Sequence, residues 1–482
     1  MSDAKPDCAA ATSSSHRPAR LWEALLPVVV LIILIRESLV RYESTAHLPL
    51  LLAAAVAAIV GGRLGFRWGE IEDGIIEGIR LGLKAILILL VIGMLIGTWI
   101  AGGIVPIMIY HGLNLLSPSL FLVATCGICC VVSLATGSSW TTAGTVGVAL
   151  IGVGQGLEVP LPMVAGAIVS GAYFGDKISP LSDTTNLAPA AAGSDLFEHV
   201  RYMLWTTVPS LLIALVLYAA LGWSGAVPHS PDAEKISVIR GALETQFRLN
   251  PLLFLPPLLV IVMVVFRLPA LPSLLGGVLL GGLFAVSLQG AELKSVLAAA
   301  QTGFVAQTGV ASVDDLLSRG GMESMLPTVS LILCALTFGG VMERTGLLAV
   351  LARAILRMAR SVGGLVAATI ATCFGMNVIA SDQYLSIIVS GRMYHEAYQQ
   401  RGLHPKLLSR TLEDGGTLSS PLVPWNTCGA FMATTLSVST WAYLPYAFLN
   451  LLNPIVAIII GFAGWKIARI NSPGKTDAQP LK

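Results

Sequence analysis

The chain carries one pattern twice, and each copy breaks long apolar runs with polar residues at matching places. Gly97, Gly103, Leu122, Cys130 and Ser138 recur 243 residues later as Gly340, Gly346, Leu365, Cys373 and Ser381. Ser179-Pro180-Leu181 recurs 241 residues later as Ser420-Pro421-Leu422. Such a repeat predicts one supersecondary unit folded twice. Polar interruptions at corresponding positions predict helices that break around a shared site.

Composition sets the solvent. Of 482 residues, 55% are hydrophobic and 12% charged, against about 25% charged in a soluble domain. Mean hydropathy is +0.79. These values predict an all-α polytopic membrane protein with roughly 11–14 apolar segments of spanning or half-spanning length. The runs at 140–155 and 384–398 are short and suit half-helices or re-entrant hairpins. A net charge of +2 says nothing about partners, and no nucleic-acid partner is expected. Cys126-x-x-Cys129 has continuously apolar flanks, with no second pair or histidine cluster nearby. The cysteines therefore read as packing residues, and no cofactor is expected.

Residues 1–20 are polar and read as a disordered tail. Arg17 and Arg20 precede the apolar run Ala24 to Ile35, and Arg36, Glu37 and Arg41 follow without a small-residue cleavage site. This predicts an uncleaved first span. Basic residues in both tails and in 391–410 place both termini on the cytoplasmic side, with an even number of crossings. The first membrane half covers 21–223, with its repeat core at about 60–223. A linker follows at 224–249. The second half covers 250–468, with its core at about 300–468, and a tail occupies 469–482. The amphipathic stretches 68–84 and 291–320 read as interfacial helices leading into spans. The ridge Gly74, Gly78, Gly82 permits close helix packing.

Four segments carry the chemistry. Residues 135–145 hold Ser138, Ser139 and four further hydroxyls, tolerated in lipid only where protein or water surrounds them. Asn377 to Tyr384 place Asp382 between apolar runs, where a carboxylate needs a cavity and a partner. Gly175 to Asn186 contain Asp176, Ser182, Asp183, Thr184, Thr185 and Asn186 around Pro180, which stops a helix from continuing. Glu413 to Thr427 form the counterpart, with Pro424 in the slot of Asp183 and Asp382 opposite Ser139. Each half thus supplies one deep carboxylate, Asp183 or Asp382. A structural pair between Asp176 and Lys177 stands beside a functional role for them. An intramembrane hydrolase would need a base beside Ser138 or Ser139. His111, His199, His395 and His404 fall near predicted helix ends or loops, so no enzyme is expected.

Gly137-Ser138-Ser139-Trp140-Thr-Thr, Gly175-Asp176-Lys-Ile-Ser179-Pro180-Leu-Ser182-Asp183-Thr184-Thr185, Ser381-Asp382-Gln383-Tyr384 and the run from Glu413 to Gly429 resemble the NhaC family of sodium/proton antiporters, over about residues 60–465. The resemblance implies sodium extrusion in exchange for protons across a bacterial inner membrane, by alternating access. It also implies two inverted repeats with broken helices and re-entrant hairpins. The same family holds sodium-lactate/malate-proton antiporters, so an organic anion stays open as cargo. On this reading Asp183 and Asp382 form a Na-type site and titrate. Ser138, Ser139, Thr184, Thr185, Asn186, Asn377 and Asn426 supply neutral oxygens. Asp176, Ser182, Asp414 and Thr427 act as gates or supporting partners. The expected partners are sodium ions, protons and the lipid bilayer, and a homodimer is compatible with this reading.

Overall fold

The computed structural model describes residues 16–42, 44–225, 227 and 233–470. Among these the chain is helical, with one isolated bridge between Leu403 and Arg469. The first half runs α1 (Leu21–Arg36), α2 (His47–Arg63), α3 (Trp68–Ala101), α4 (Ile104–Leu115), α5 (Pro118–Thr136), α6 (Ser139–Thr142), α7 (Val148–Gly156), α8 (Leu161–Ile178), α9 (Asp183–Ala192) and α10 (Leu196–Trp223). The connecting region holds α11 (Ala233–Gln246), α12 (Leu255–Val265), α13 (Ala270–Ser287), α14 (Leu293–Gln301) and α15 (Ala311–Leu317). The second half runs α16 (Leu326–Arg344), α17 (Leu347–Arg357), α18 (Val362–Ile379), α19 (Gln383–Gln400), α20 (Pro405–Leu412), α21 (Thr427–Leu436), α22 (Thr440–Tyr443) and α23 (Phe448–Ala463).

This is a multi-pass membrane protein. Among the described residues, six helices are long and apolar enough to span, or up to eight if two bent pairs each count as one. The number falls below the apolar runs in the sequence because several runs fold as shorter helices, such as His47–Arg63 and Thr427–Leu436.

The two halves repeat cap for cap. Gly103 and Gly346 are left-handed N-caps of α4 and α17, 243 residues apart. One extra residue then enters between α17 and α18, and the caps and breaks that follow are 244 apart, so the Ser179-Pro180 and Ser420-Pro421 match at 241 is not a structural equivalence. Ser117 and Ser361 cap α5 and α18. Gly137 (φ 65) and Ser381 (φ 58) make the left-handed breaks. Gly193 and Ser437 close α9 and α21 in the left-handed region. The expected register is therefore corrected. Asp382 matches Ser138, not Ser139, and Asp183 matches Thr427, not Pro424. The Leu122 and Leu365 identity at 243 is a coincidence of apolar composition.

Three other expectations change. Residues 68–84 are no separate interfacial helix; they form the first half of the 34-residue α3. Their glycine ridge lies against α16, where a Cβ on Gly78 would stand 2.9 Å from the Leu336 carbonyl oxygen and 3.0 Å from the Gly340 Cα. The tail expected over 1–20 lies outside the described residues as far as residue 15. Residues 16–20 are docked: Arg17 N donates to Leu64 O at 3.0 Å, and its guanidinium pairs with Glu23. Within the linker, α11 is held to α4, since Arg240 Nη2 donates to Tyr110 Oη at 2.8 Å.

Further along α3, a Cβ on Gly97 would stand 1.9 Å from the Ala299 carbonyl oxygen, so backbone must move. Gly97→Ala is expected to cost about 1–3 kcal/mol through overpacking. Gly62→Ala, with nothing within 4 Å, should cost little. Thermal unfolding of the detergent-solubilised variants compares the two.

Candidate functional site

The breaks of both halves meet at one cavity of about 750 Å³. Its wall includes Ser138 and Ser139 from the first break, Asp176, Asp183, Thr184 and Asn186 from the second, Gln383 and Tyr384 from the third, and Thr427 and Cys428 from the fourth. Lys84 of α3 and Arg267, between α12 and α13, also line it. Trp140 stacks on Phe431 at 4.1 Å with 5° between planes, joining the halves at the wall.

The local sequence explains the breaks. Gly137 takes φ 65, and a Cβ there would lie 2.7 Å from the Leu181 carbonyl carbon. Only glycine allows both the conformation and the approach. Pro180 has no amide hydrogen, which ends α8 and leaves 179–182 unwound. In the second half, Ser381 holds the left-handed conformation with a side chain, at a cost of roughly 1–2 kcal/mol. Its carbonyl accepts from Thr427 N at 3.0 Å, tying the third break to the fourth.

Side-chain caps take one or two N–H groups at three of the four helix starts, α6, α19 and α21, while Ser182 makes no such bond at the start of α9. Asp382 accepts from Tyr384 N and Leu385 N at 2.9 and 3.0 Å. Asn426 Oδ1 accepts from Cys428 N at 3.0 Å, and Ser138 Oγ accepts from Thr141 N at 3.1 Å. These donors would otherwise favour an anion. With them satisfied, hydroxyl, amide and carboxylate oxygens face the cavity.

Asp176 is the buried carboxylate on the cavity wall. Ser139 Oγ donates to its Oδ2 at 2.6 Å and Ser182 Oγ to its Oδ1 at 2.7 Å. The pseudo-equivalent contact in the second half is neutral: Ser420 Oγ donates to Gln383 Oε1 at 2.9 Å. Asp183 opens the first turn of α9 with its side chain 59% exposed. Lys84 Nζ lies 2.6 Å from its Oδ2, and Tyr384 Oη donates to the same atom at 3.4 Å.

Several expected site residues stand elsewhere. Asp382 is buried but absent from the cavity wall; it reaches Asp183 only through Tyr384, whose N–H it accepts and whose hydroxyl meets Asp183. Asp183 is not a deep carboxylate. Asn377 and Asn426 bond each other, with Asn426 Nδ2 donating to Asn377 Oδ1 at 3.2 Å, and Asn377 Nδ2 donates to Gly416 O at 2.6 Å. The first half repeats the latter bond from Ser133 Oγ to Ala172 O. Thr185 Oγ1 donates to the carbonyls of Asp176 and Lys177, at 2.9 and 2.8 Å. Asn186 lines the cavity while its Nδ2 donates to Pro180 O at 2.8 Å. Asp176 and Lys177 do not pair. Lys177 turns to Asp414, off the cavity. His199 stands near a helix end as expected, in the first turn of α10, yet it is fully buried, and it bonds Ser409 Oγ at 2.7 Å and neither break serine.

Sequence reasoning overlooked Lys84, Gln383, Tyr384 and Cys428 as wall residues. Gln383 and Tyr384 follow Asp382 directly, which was a usable signal. Nothing in the sequence joins Lys84 to Asp183.

A sequence model of the Na+/H+ antiporter family matches residues 171–465. The Na(+)/H(+) antiporter NhaC of Alkalihalophilus pseudofirmus is 42% identical over 95% of this chain and 98% of its own. A malate-2H(+)/Na(+)-lactate antiporter of Bacillus subtilis is 39% identical over 92% of this chain and 95% of its own. The arginine/ornithine antiporter ArcD of Halobacterium salinarum is 39% identical over 92% of each chain. With that identity over nearly its whole length, the chain belongs to the Na+/H+ antiporter family.

Proposed function

We propose that this protein exchanges sodium ions for protons by alternating access, with the cation taken at Asp176 and Asp183. The observation that carries this reading is a cavity where four helix breaks meet and two carboxylates stand among Ser138, Ser139, Thr184 and Thr427. Hydroxyl and carboxylate oxygens are hard ligands of the kind that unwound transporter segments offer alkali cations. A sodium ion and a proton cannot both neutralise one carboxylate, so binding one expels the other. Ser139 and Ser182, which now donate to Asp176, can turn their lone pairs to the ion. Asp382 acts indirectly, by fixing the first turn of α19 and thereby Gln383 and Tyr384.

The halves are read as inverted repeats rocking about this site, in a bacterial inner membrane with both termini cytoplasmic. No cofactor takes part, and a homodimer is compatible with this reading. The test is pH-gradient quenching in proteoliposomes with sodium, lithium, potassium, malate and lactate added in turn. Sodium-dependent proton movement without an organic anion supports the reading; strict dependence on malate or lactate overturns it. An organic-anion cargo is the second reading. The cavity exceeds the needs of one cation, Lys84 and Arg267 stand on its wall, and a relative is named for malate and lactate.

Lys84 acts as a tethered competitor for the Asp183 carboxylate. Both partners are well exposed, at 62% and 59%, and such pairs contribute only about 0.2–1 kcal/mol. Lys84→Met is therefore expected to lower the apparent KM for sodium by no more than about fivefold. A sodium titration of initial exchange rates measures this.

A further inference from the structure

A second group of ionisable side chains lies off the cavity and is fully buried. Lys177 of α8, Arg410 of α20, and Glu413 and Asp414 of the π-turn Glu413–Thr417 are each 0% exposed. Asp414 takes nearly all the pairing. Lys177 Nζ donates to its Oδ1, as do Thr206 Oγ1 at 3.0 Å and Asn453 Nδ2 at 2.6 Å. Arg410 Nε lies 3.4 Å from its Oδ2. Glu413 takes none at hydrogen-bond geometry among the described residues, and the nearest donor beside it is the Thr417 hydroxyl of the same π-turn, itself unpaired. Both terminal nitrogens of Arg410, three residues earlier on the same turn, are equally unpaired. The other groups facing this cluster are Asp176 of α8, Cys373 of α18, His199 and Tyr202 of α10, the latter under the Arg410 guanidinium, and Tyr398 of α19.

An ionised carboxylate with no hydrogen bond in a dry interior is among the costliest states a protein can hold. A neutral acid there is far cheaper. Asp414, with two cations and two neutral donors, is the permanent anion. Glu413 is the group free to change its charge without breaking an existing bond, while the Arg410 guanidinium is held over the Tyr202 ring at 4.7 Å and beside Asp414.

We propose that Glu413 is a proton-carrying site separate from the cation cavity, coupled to Asp176 through Lys177. This rests on the reading of Asp176 as a cation ligand. With Glu413 protonated, Lys177, Arg410 and Asp414 leave one net positive charge beside the residue next to Asp176. With Glu413 ionised, the four charges cancel. A proton on Glu413 thus opposes sodium at Asp176 by charge alone, and its release admits the ion. Thr185 holds the turn rigid, since its hydroxyl donates to the carbonyls of both Asp176 and Lys177.

The test uses the full chain in proteoliposomes and two fluxes: labelled sodium/sodium exchange without a pH gradient, measured across pH, and sodium uptake driven by a pH gradient. In Glu413→Gln, driven uptake is expected to fall by at least about tenfold, the scale of a coupling between sites. Because glutamine fixes the charge of the protonated acid, sodium/sodium exchange should persist only at raised sodium, with a higher apparent KM, and lose its dependence on pH. Driven uptake near the wild-type rate, or loss of both fluxes in a folded variant, overturns the proposal. Asp176→Asn separates the two ideas: sodium/sodium exchange surviving in that variant removes the cavity site, whereas the pH profile of Glu413→Gln reports on Glu413. If Glu413→Gln fails to fold, infrared titration of wild-type protein with 13C-labelled glutamate decides. A labelled carboxylic-acid band that disappears on adding sodium supports the proposal, and no sodium-sensitive labelled band overturns it.

Discussion

Asp176→Asn is expected to lower sodium-dependent proton movement by roughly a hundredfold or more, in a protein that still folds. The buried carboxylate accepts hydroxyls on both oxygens, from Ser139 and Ser182. An amide keeps the shape but offers one acceptor in place of two, and one of the two hydroxyls then faces an NH2 group. A hydrogen bond to a charged group is worth about 1.5–3 kcal/mol, and the charge that would neutralise the sodium ion is lost with it. Together these exceed ~3 kcal/mol, hence the two orders of magnitude. Asp183→Asn should be milder. Its carboxylate is more than half exposed and already shared with Lys84 and Tyr384, so water replaces much of what is removed. Proteoliposome flux of both variants, with size-exclusion profiles to report folding, gives the comparison. Equal losses, or a larger loss for Asp183→Asn, would return the central role to Asp183.

That reordering shows where the sequence is legible. Polar residues inside apolar runs located all four breaks, because hydroxyls and carboxylates in a lipid-facing helix are too costly to have a bland explanation. Depth was not legible. Asp176 and Asp183 stand seven residues apart in one motif, and only the end of α8 decides which is buried. Register was legible to within one residue at the first breaks, and was three residues off at the second, where Pro424 stood in for Thr427 opposite Asp183. The insertion between α17 and α18 is silent in an apolar stretch, yet it moves Asp382 from the slot of Ser139 to that of Ser138. Asp382 thereby becomes a cap instead of a wall residue. Partners distant in sequence were not legible at all. Asp414 gathers Lys177, Thr206 and Asn453 from three other helices, and no periodicity encodes such a meeting. Likewise Lys84 reaches Asp183 because the amphipathic stretch and the span after it are one continuous helix.

The second large effect is expected from Lys177→Met. Removing one partner of a buried ion pair leaves the other charge uncompensated, at about 3–5 kcal/mol. Asp414 would keep Thr206, Asn453 and the more distant Arg410, which places the loss toward the lower end of that range. The double variant Lys177→Met/Asp414→Asn removes both charges. It should regain part of the stability, because buried pairs replaced together by neutral groups are often close to neutral in cost, while the buried Arg410 loses its carboxylate partner. Thermal unfolding in detergent of the wild type, both single variants and the double variant closes the cycle. A Lys177→Met variant as stable as the wild type would mean that water reaches the cluster and screens it. Transport gives the more telling readout. A pair kept for stability alone could be exchanged for neutral groups without functional loss. If Lys177 links the proton on Glu413 to the ion at Asp176, the double variant is stable, still carries sodium against sodium, and no longer answers to a pH gradient.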